Sequence, residues 1–171
     1  MTTSFQKLKR LNTYEKAYIA GFLDGDGCIN AQIIPRNDYL LKFQIRVSVT
    51  FFQKTTRHWF LLQLQKQLNY GTLRKRPDGM SEYTIVGKES VKHCIELLKP
   101  YLRLKKRHAV LILQIIEQLK KAQEPQAFLK LCEKVDKFQE LNDSKKRKIT
   151  SETVRSLFLE LDLLCVPVET I

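Results

Sequence analysis

Polar and apolar positions change their period several times along the chain, and each change marks an element. Asn12 with Glu15 three residues on is a capping-box pattern that predicts a helix over residues 14–24, running toward Gly25. From Cys28 to Ile34 the period drops to two, with Ile29, Ala31 and Ile33 apolar and Cys28, Asn30 and Gln32 opposite. After the turn-like Pro35-Arg36-Asn37-Asp38, alternation resumes. Phe43, Ile45, Val47, Val49 and Phe51 stand against Lys42, Gln44, Arg46, Ser48 and Thr50, so the two runs predict one half-buried hairpin. Helical spacing returns over 55–69, where Phe60, Leu61, Leu64 and Leu68 form one stripe and Tyr70-Gly71 is the stop. A second hairpin is expected from 72–76, a Pro77-Asp78-Gly79 turn and 81–86. Helices are expected over 90–98, 105–122, 126–141 and 151–164. The order is that of an α+β domain with one antiparallel sheet.

A chain of 171 residues can bury one sizeable core, and 43% hydrophobic with 28% charged residues excludes a disordered or collagen-like chain. There is no run of eighteen apolar residues, and the opening MTTSFQKLKR has neither a signal-peptide nor a transit-peptide pattern. A soluble protein without membrane contact is expected, neither exported nor imported. Cys28, Cys94, Cys132 and Cys165 lie too far apart for a zinc site and read as reduced thiols, mostly buried. The formal net charge of +12, spread over both halves of the chain, points to an acidic partner.

An antiparallel sheet needs only one face on the core. The other face here carries Gln32, Gln44, Arg46, Ser48, Thr50, Arg74, Arg76, Glu82 and Thr84. Gln pairs with adenine and Arg with guanine in a major groove, so this mixture suits base reading, although an ordinary solvated face is the alternative. Arg103, Lys105, Lys106 and Arg107 gather where a helix is predicted to start, opposing its dipole, so something negative should compensate them. Lys145, Lys146, Arg147 and Lys148 form a second cluster, placed to touch phosphate or simply to be solvated.

The sharpest local feature is YIAGFLDGDG, residues 18–27. Two carboxylates at the negative end of a helix are electrostatically misplaced, and a divalent cation would relieve them. The loop does not match a calcium hand, because Cys28 and Pro35 occupy ligand positions. One or two carboxylates with open coordination suit Mg²⁺, which takes the rest of its shell from water and phosphate. Ala17, Gly21, Asp24 and Gly25 form a nearly side-chain-free stripe. No other helix of this chain offers a matching stripe, so self-association about a two-fold axis is expected, packing within the chain being the alternative.

Residues 18–27 resemble the motif of the LAGLIDADG homing endonucleases. CINAQI (28–33), QKTTRHWFL (53–61), PYLRLK (100–105), IIEQL (115–119) and LNDSKKRKITSETVR (141–155) extend the similarity to the single-motif, homodimeric enzymes of group I introns in chloroplast ribosomal RNA genes. The resemblance implies an α-β-β-α-β-β-α fold with trailing helices and a saddle-shaped sheet straddling double-stranded DNA. It implies one endonuclease domain over 1–171, with a core of about 12–141 and a DNA-contacting loop and helix over 142–171. By the same resemblance Asp26 binds metal with the Gly25 carbonyl, and Gln53, Arg57 and Lys105 complete the catalytic set. For Gln53 and Arg57, helix-start capping and surface charge are the alternative. Base-reading positions fall on Asn30, Gln32, Ile34, Arg36, Asp38, Tyr39, Gln44, Arg46, Ser48, Thr50, Arg74, Arg76, Glu82 and Thr84; Cys28 and Ile34 depart from the usual side chains.

The implied reaction is Mg²⁺-dependent double-strand cleavage of a long pseudo-palindromic site, leaving 3′ overhangs, with Mn²⁺ substituting and Ca²⁺ binding without cleavage. No small-molecule substrate is implied. A strand of about ten residues spans about 34 Å, roughly one turn of duplex, so a dimer would cover on the order of 20 base pairs. The location implied is the chloroplast, with the mitochondrion as the alternative. The rival function is a catalytically silent binder such as an intron maturase, which would have no need of Asp26 and Lys105.

Overall fold

The computed structural model describes residues 10–143 and 147–164. The order is α1 (Thr13–Asp26), β1 (Gly27–Pro35), β2 (Phe43–Lys54), a 3₁₀ turn (Thr55–Arg57), α2 (His58–Leu68), β3 (Thr72–Lys75), β4 (Met80–Val86) and α3 (Lys88–Leu98). A second 3₁₀ turn (Lys99–Tyr101) leads to α4 (Lys106–Leu119), α5 (Pro125–Asp136), α6 (Phe138–Leu141) and α7 (Ser151–Glu160). The four strands form one sheet in the order β1-β2-β4-β3.

The expected capping box is present. Asn12 Oδ1 accepts from the Glu15 amide at 2.9 Å, and the Glu15 carboxylate accepts from the Asn12 amide at 2.8 Å. The helix does not stop before Gly25, however. It runs on through Asp26, which brings both motif acids into its last turn. The stop falls at Gly27, where a Cβ would lie 2.5 Å from Leu23 Cδ1 and 2.8 Å from the Leu23 carbonyl oxygen. Only a residue without a side chain lets the strand leave the helix there.

Two compact units can be distinguished, one of residues up to Asn30 with Val47–Val110, the other of Ala31–Arg46 with residues from Leu111 onward. In the first, β2 and β4 pair antiparallel with Phe51 opposite Tyr83, and β3 pairs β4 with Arg74 opposite Glu82. Phe51 is stacked between Phe22 of α1 and Tyr83 of β4, at 5.8 Å from each, while Phe22 meets Phe60 of α2 edge-on at 5.0 Å. This aromatic column, with buried Ile19, Leu23, Leu61, Leu64, Ile85 and Ile95, fixes α1 and α2 against the sheet. In the second unit Phe158 of α7 packs on Phe43 and Phe128 at 6.4 and 6.2 Å, and Arg155 pairs with Glu133 at 2.7 Å.

Several boundaries differ from the periodicity. β2 extends to Lys54, past the last clear alternation. The helix expected over 55–69 begins with the 3₁₀ turn and ends at Leu68, because Asn69 turns left-handed at φ 60°. α4 ends at Leu119. The helix expected over 126–141 divides at Lys137, whose amide bonds back three residues to Lys134 and tightens the turn. α7 stops at Glu160, ahead of the left-handed Asp162, rather than reaching 164. Arg76 lies beyond β3, in the turn, where its amide donates to the Met80 carbonyl at 2.7 Å.

Cys94 and Cys132 are buried free thiols and Cys28 is half-buried, while Cys165 lies outside the described residues. Burial pushes the Cys94 and Cys132 thiols up to about 12, and also raises the Tyr70 and Tyr83 phenols. An unfolded thiol ionises near about 8.5, so above that pH the unfolded chain holds fewer protons than the folded one and stability falls. Urea midpoints measured at rising pH are expected to decline from about pH 8.5 upward, and Cys94 and Cys132 should stay unmodified by a thiol reagent in the native protein at about pH 8. Rapid native-state modification of either would contradict their burial.

Candidate active site and nucleic-acid interface

The last turn of α1 has carbonyls without intrahelical partners and a negative pole. Its two acids are treated differently. Asp24 is half-buried, and its carboxylate accepts three backbone N–H groups. Oδ2 takes those of Arg103 and Leu104 at 2.7 and 3.2 Å, and Oδ1 that of Lys105 at 2.9 Å. Lys105 reciprocates, its Nζ donating to the Asp24 carbonyl oxygen at 2.5 Å. The backbone of the basic run, at 103–105, thus meets a carboxylate inside the chain, while among the described residues no ion pair joins the side chains of Arg103, Lys105, Lys106 or Arg107 to an acid. Of the one or two carboxylates considered for a cation, Asp24 is thus occupied by backbone donors.

Asp26 is exposed, and among the described residues no hydrogen bond or ion pair engages its carboxylate. Among the described residues no group of three or more His, Cys, Asp or Glu could hold a metal. What this helix end offers is one free carboxylate beside the backbone of exposed Gly25, hard oxygen donors that fill only part of a shell. That donor set fits Mg²⁺, which binds few protein ligands and keeps water or phosphate for the rest.

Gln53, near the end of β2, accepts at Oε1 from Arg57 Nη1 and from the Lys54 amide, both at 3.1 Å. The turn that returns Arg57 to Gln53 is pinned by residues that sequence reasoning missed. Ser81, fully buried, lies 3.2 Å from Thr55 Oγ1 and 2.9 Å from His58 Nδ1, and the Thr55 amide donates to the Gly79 carbonyl at 2.8 Å. A signal was present: Ser81 takes the inward place in the Ser81, Tyr83, Ile85 alternation of β4. The chain therefore brings Gln53 to Arg57 and Lys105 to Asp24. Among the described residues no hydrogen bond joins the two pairs.

Polar side chains on the sheet and in its flanking turns are paired with one another in each unit. In the first, Glu82 binds Arg74 at 2.7 Å and Arg76 at 3.7 Å, Arg76 also reaches Asp78 at 2.6 Å, and the Thr50 and Thr84 hydroxyls are 3.3 Å apart. Ser48 and Asn30 are half-buried. In the second, Arg36 Nε and Nη2 grip both carboxylate oxygens of Asp38 at 3.0 and 2.9 Å, Nη1 donates to Gln44 at 3.1 Å, and the guanidinium lies 4.7 Å over the Tyr39 ring. That hydrogen bond raises the Arg36 pKa and lowers that of Asp38. Gln32 and Arg46 are exposed, and Ile34 is half-buried. Arg147 donates to the Ala31 carbonyl at 2.8 Å, so one member of the second basic cluster serves the fold. Lys148 is exposed, whereas Lys145 lies outside the described residues.

The helix stripe is open. Ala17, Gly21 and Gly25 are exposed, and a Cβ built on either glycine meets nothing within 4 Å. Tyr14 and Tyr18 flank them at 86% and 65% exposure. Neither glycine is required by the packing or backbone of its own chain, yet each costs helix stability of about 1 kcal/mol relative to alanine.

The family model of LAGLIDADG endonuclease matches residues 19–116. The chain belongs to the LAGLIDADG endonuclease family. It is 52% identical over 145 residues to DNA endonuclease I-CvuI of Chlorella vulgaris, covering 85% of this chain and 90% of that one. With DNA endonuclease I-CreI of Chlamydomonas reinhardtii it shares 45% over 141 residues, covering 82% and 86%. A crystal structure of the homing endonuclease I-CvuI in complex with its target, in the presence of 2 mM Ca, superposes with a TM-score of 0.85 at 49% identity, covering 89% of this chain and 97% of that one. I-CvuI has also been solved with the I-CreI target in 2 mM Mg, with the DNA not cleaved.

The open stripe generates a direct test. Gly21→Leu should preserve the helical circular dichroism while abolishing self-association in sedimentation at micromolar concentration, the thermal midpoint falling only by the stabilisation that the dimer supplied. Wild-type dimerisation by the variant would place the interface elsewhere.

Proposed function

We propose that the protein is a site-specific homing endonuclease of double-stranded DNA, acting as a homodimer that cuts both strands of a long pseudo-palindromic site. The observation that carries this reading is the exposed, unpartnered Asp26 carboxylate at the negative end of an open glycine stripe. Pairing of α1 with its symmetry mate along Ala17, Gly21 and Gly25 would bring two such carboxylates to one axis. Family membership, together with relatives solved on DNA, supports the same reading.

Asp26 and the Gly25 carbonyl would hold Mg²⁺, which when bound supplies polarisation of the scissile phosphate and an acidified water. The remaining roles belong to the chain. Lys105 places a positive charge at the α1 end, where charge grows on the phosphate in the transition state. Arg57 offers a second cation, and its bond to Gln53 leaves the Gln53 amide N–H groups free to orient water. Arg74, Arg76, Arg36, Gln44 and Gln32 read base edges, with Asn30, Ile34, Asp38, Tyr39, Arg46, Ser48, Thr50, Glu82 and Thr84 completing the surface. Lys148 and Lys145 contact phosphate. We extend the reading to Mn²⁺ as a working substitute and to Ca²⁺ as a cation that holds the uncut complex. The whole chain serves as one endonuclease domain, and the chloroplast is the compartment we infer from its algal relatives.

The test uses DNA spanning an uninterrupted copy of the gene that hosts the protein's own intron. With Mg²⁺ the wild type should cut it, EDTA should stop cutting, and Asp26→Asn should bind the same DNA with unchanged affinity while cleavage falls by about 10²-fold or more. Tight binding without cutting by the wild type would favour a maturase-like binder, and undiminished nicking by Asp26→Asn would refute the role of that carboxylate.

A further inference from the structure

Asp24 carries no free charge to offer a ligand, since its carboxylate is committed to three amides about 80 residues away in sequence. We propose that Asp24 is a positioning residue for cleavage: it clasps the 103–105 loop to the end of α1 and so sets the Lys105 ammonium beside the Asp26 helix end. The inference rests on the reading of Lys105 as the cation that meets the scissile phosphate.

The geometry is two-way. Arg103, Leu104 and Lys105 donate successive amides to one carboxylate, and the Lys105 side chain folds back to donate to the carbonyl of the same Asp24. A lysine has four rotatable bonds and a strongly hydrated ammonium, so it holds one position only where both its backbone and its Nζ are fixed. Here both are fixed by a single residue, two positions before Asp26. The three amides lie immediately before α4 (Lys106–Leu119), so the Asp24 carboxylate sits at the positive start of that helix. A carboxylate is the side chain suited to this place, since it accepts at both oxygens whereas asparagine accepts at one. Even small misplacement of a charged group costs rate rather than binding.

The clasp makes the exposed residues Arg103 and Leu104 keep protected amides. Hydrogen exchange of the wild-type protein should show slow exchange at 103–105, and exchange at the rate of an open loop would overturn the proposal without any variant. The functional test is a double-mutant cycle on single-turnover cleavage, with Asp24→Asn, Lys105→Met and the double variant. DNA binding measured in Ca²⁺ and the dimer measured by sedimentation serve as controls. Asp24→Asn should slow cleavage by about 10- to 100-fold with binding and dimer intact, and should have no further effect in the Lys105→Met background. If Lys105→Met slows cleavage while Asp24→Asn does not, or if the two losses multiply, the proposal falls and the role of Lys105 stands. If Lys105→Met cuts like wild type, the reading of Lys105 itself falls.

Discussion

The negative pole of α1 is the constraint on which the site depends. A helix end that already carries unsatisfied carbonyls is asked to hold two carboxylates two residues apart, and the fold resolves the conflict by dividing them. The Asp24 carboxylate is hydrogen-bonded by the amides of Arg103, Leu104 and Lys105, whereas Asp26 is left exposed and without a partner among the described residues. Removing the clasp would leave two bare acids and a loose lysine. With it, the same turn presents one free carboxylate, an adjacent backbone carbonyl and a fixed ammonium.

That division needs α1 held firmly, and the aromatic column does this. Phe22 reaches Phe51, Phe51 reaches Tyr83, and Phe60 closes on Phe22 from α2. The opposite side of α1 is more open, with Tyr18 alone meeting an aromatic ring among the described residues, the edge-on Phe60 at 6.1 Å. Its glycines meet open space and its tyrosines are largely exposed, so one helix has a side spent on its own core and a side left open, which the proposed pairing with a second helix would cover. Arg74 on β3 and the turn residues Arg76 and Arg36 are likewise held, by Glu82, Asp78 and Asp38. Under the proposed reading, fixing them in advance reduces the entropy lost on binding DNA.

Local order was legible in the sequence and distant partnership was not. The Asn12–Glu15 box and the Ile29, Ala31, Ile33 and Phe43–Phe51 alternations marked α1 and the first hairpin because each depends on neighbours in the chain. The motif pointed to Asp26, and family resemblance to Gln53, Arg57 and Lys105, as the residues proposed for catalysis. Gly25 was misleading as a helix stop, since a glycine within a helix costs only about 1 kcal/mol, which packing of Phe22 and Leu23 readily outweighs. The decisive stop, Gly27, reflects a close approach to Leu23 that no pattern encodes. The fate of Asp24 was invisible for a plainer reason. Its partners are backbone amides of residues 103–105, and an amide donor is present at every residue except proline.

The central claim is that two copies of this chain, each with one free Asp26, act together on one DNA duplex. It is tested most directly by mapping, to the nucleotide, the ends that the wild-type protein leaves on its target in Mg²⁺. The account predicts one cut on each strand, related by the two-fold axis of two inverted half-sites and leaving 3′ overhangs across the centre. A cut confined to one strand, or a pair of cuts unrelated by that axis, would contradict it.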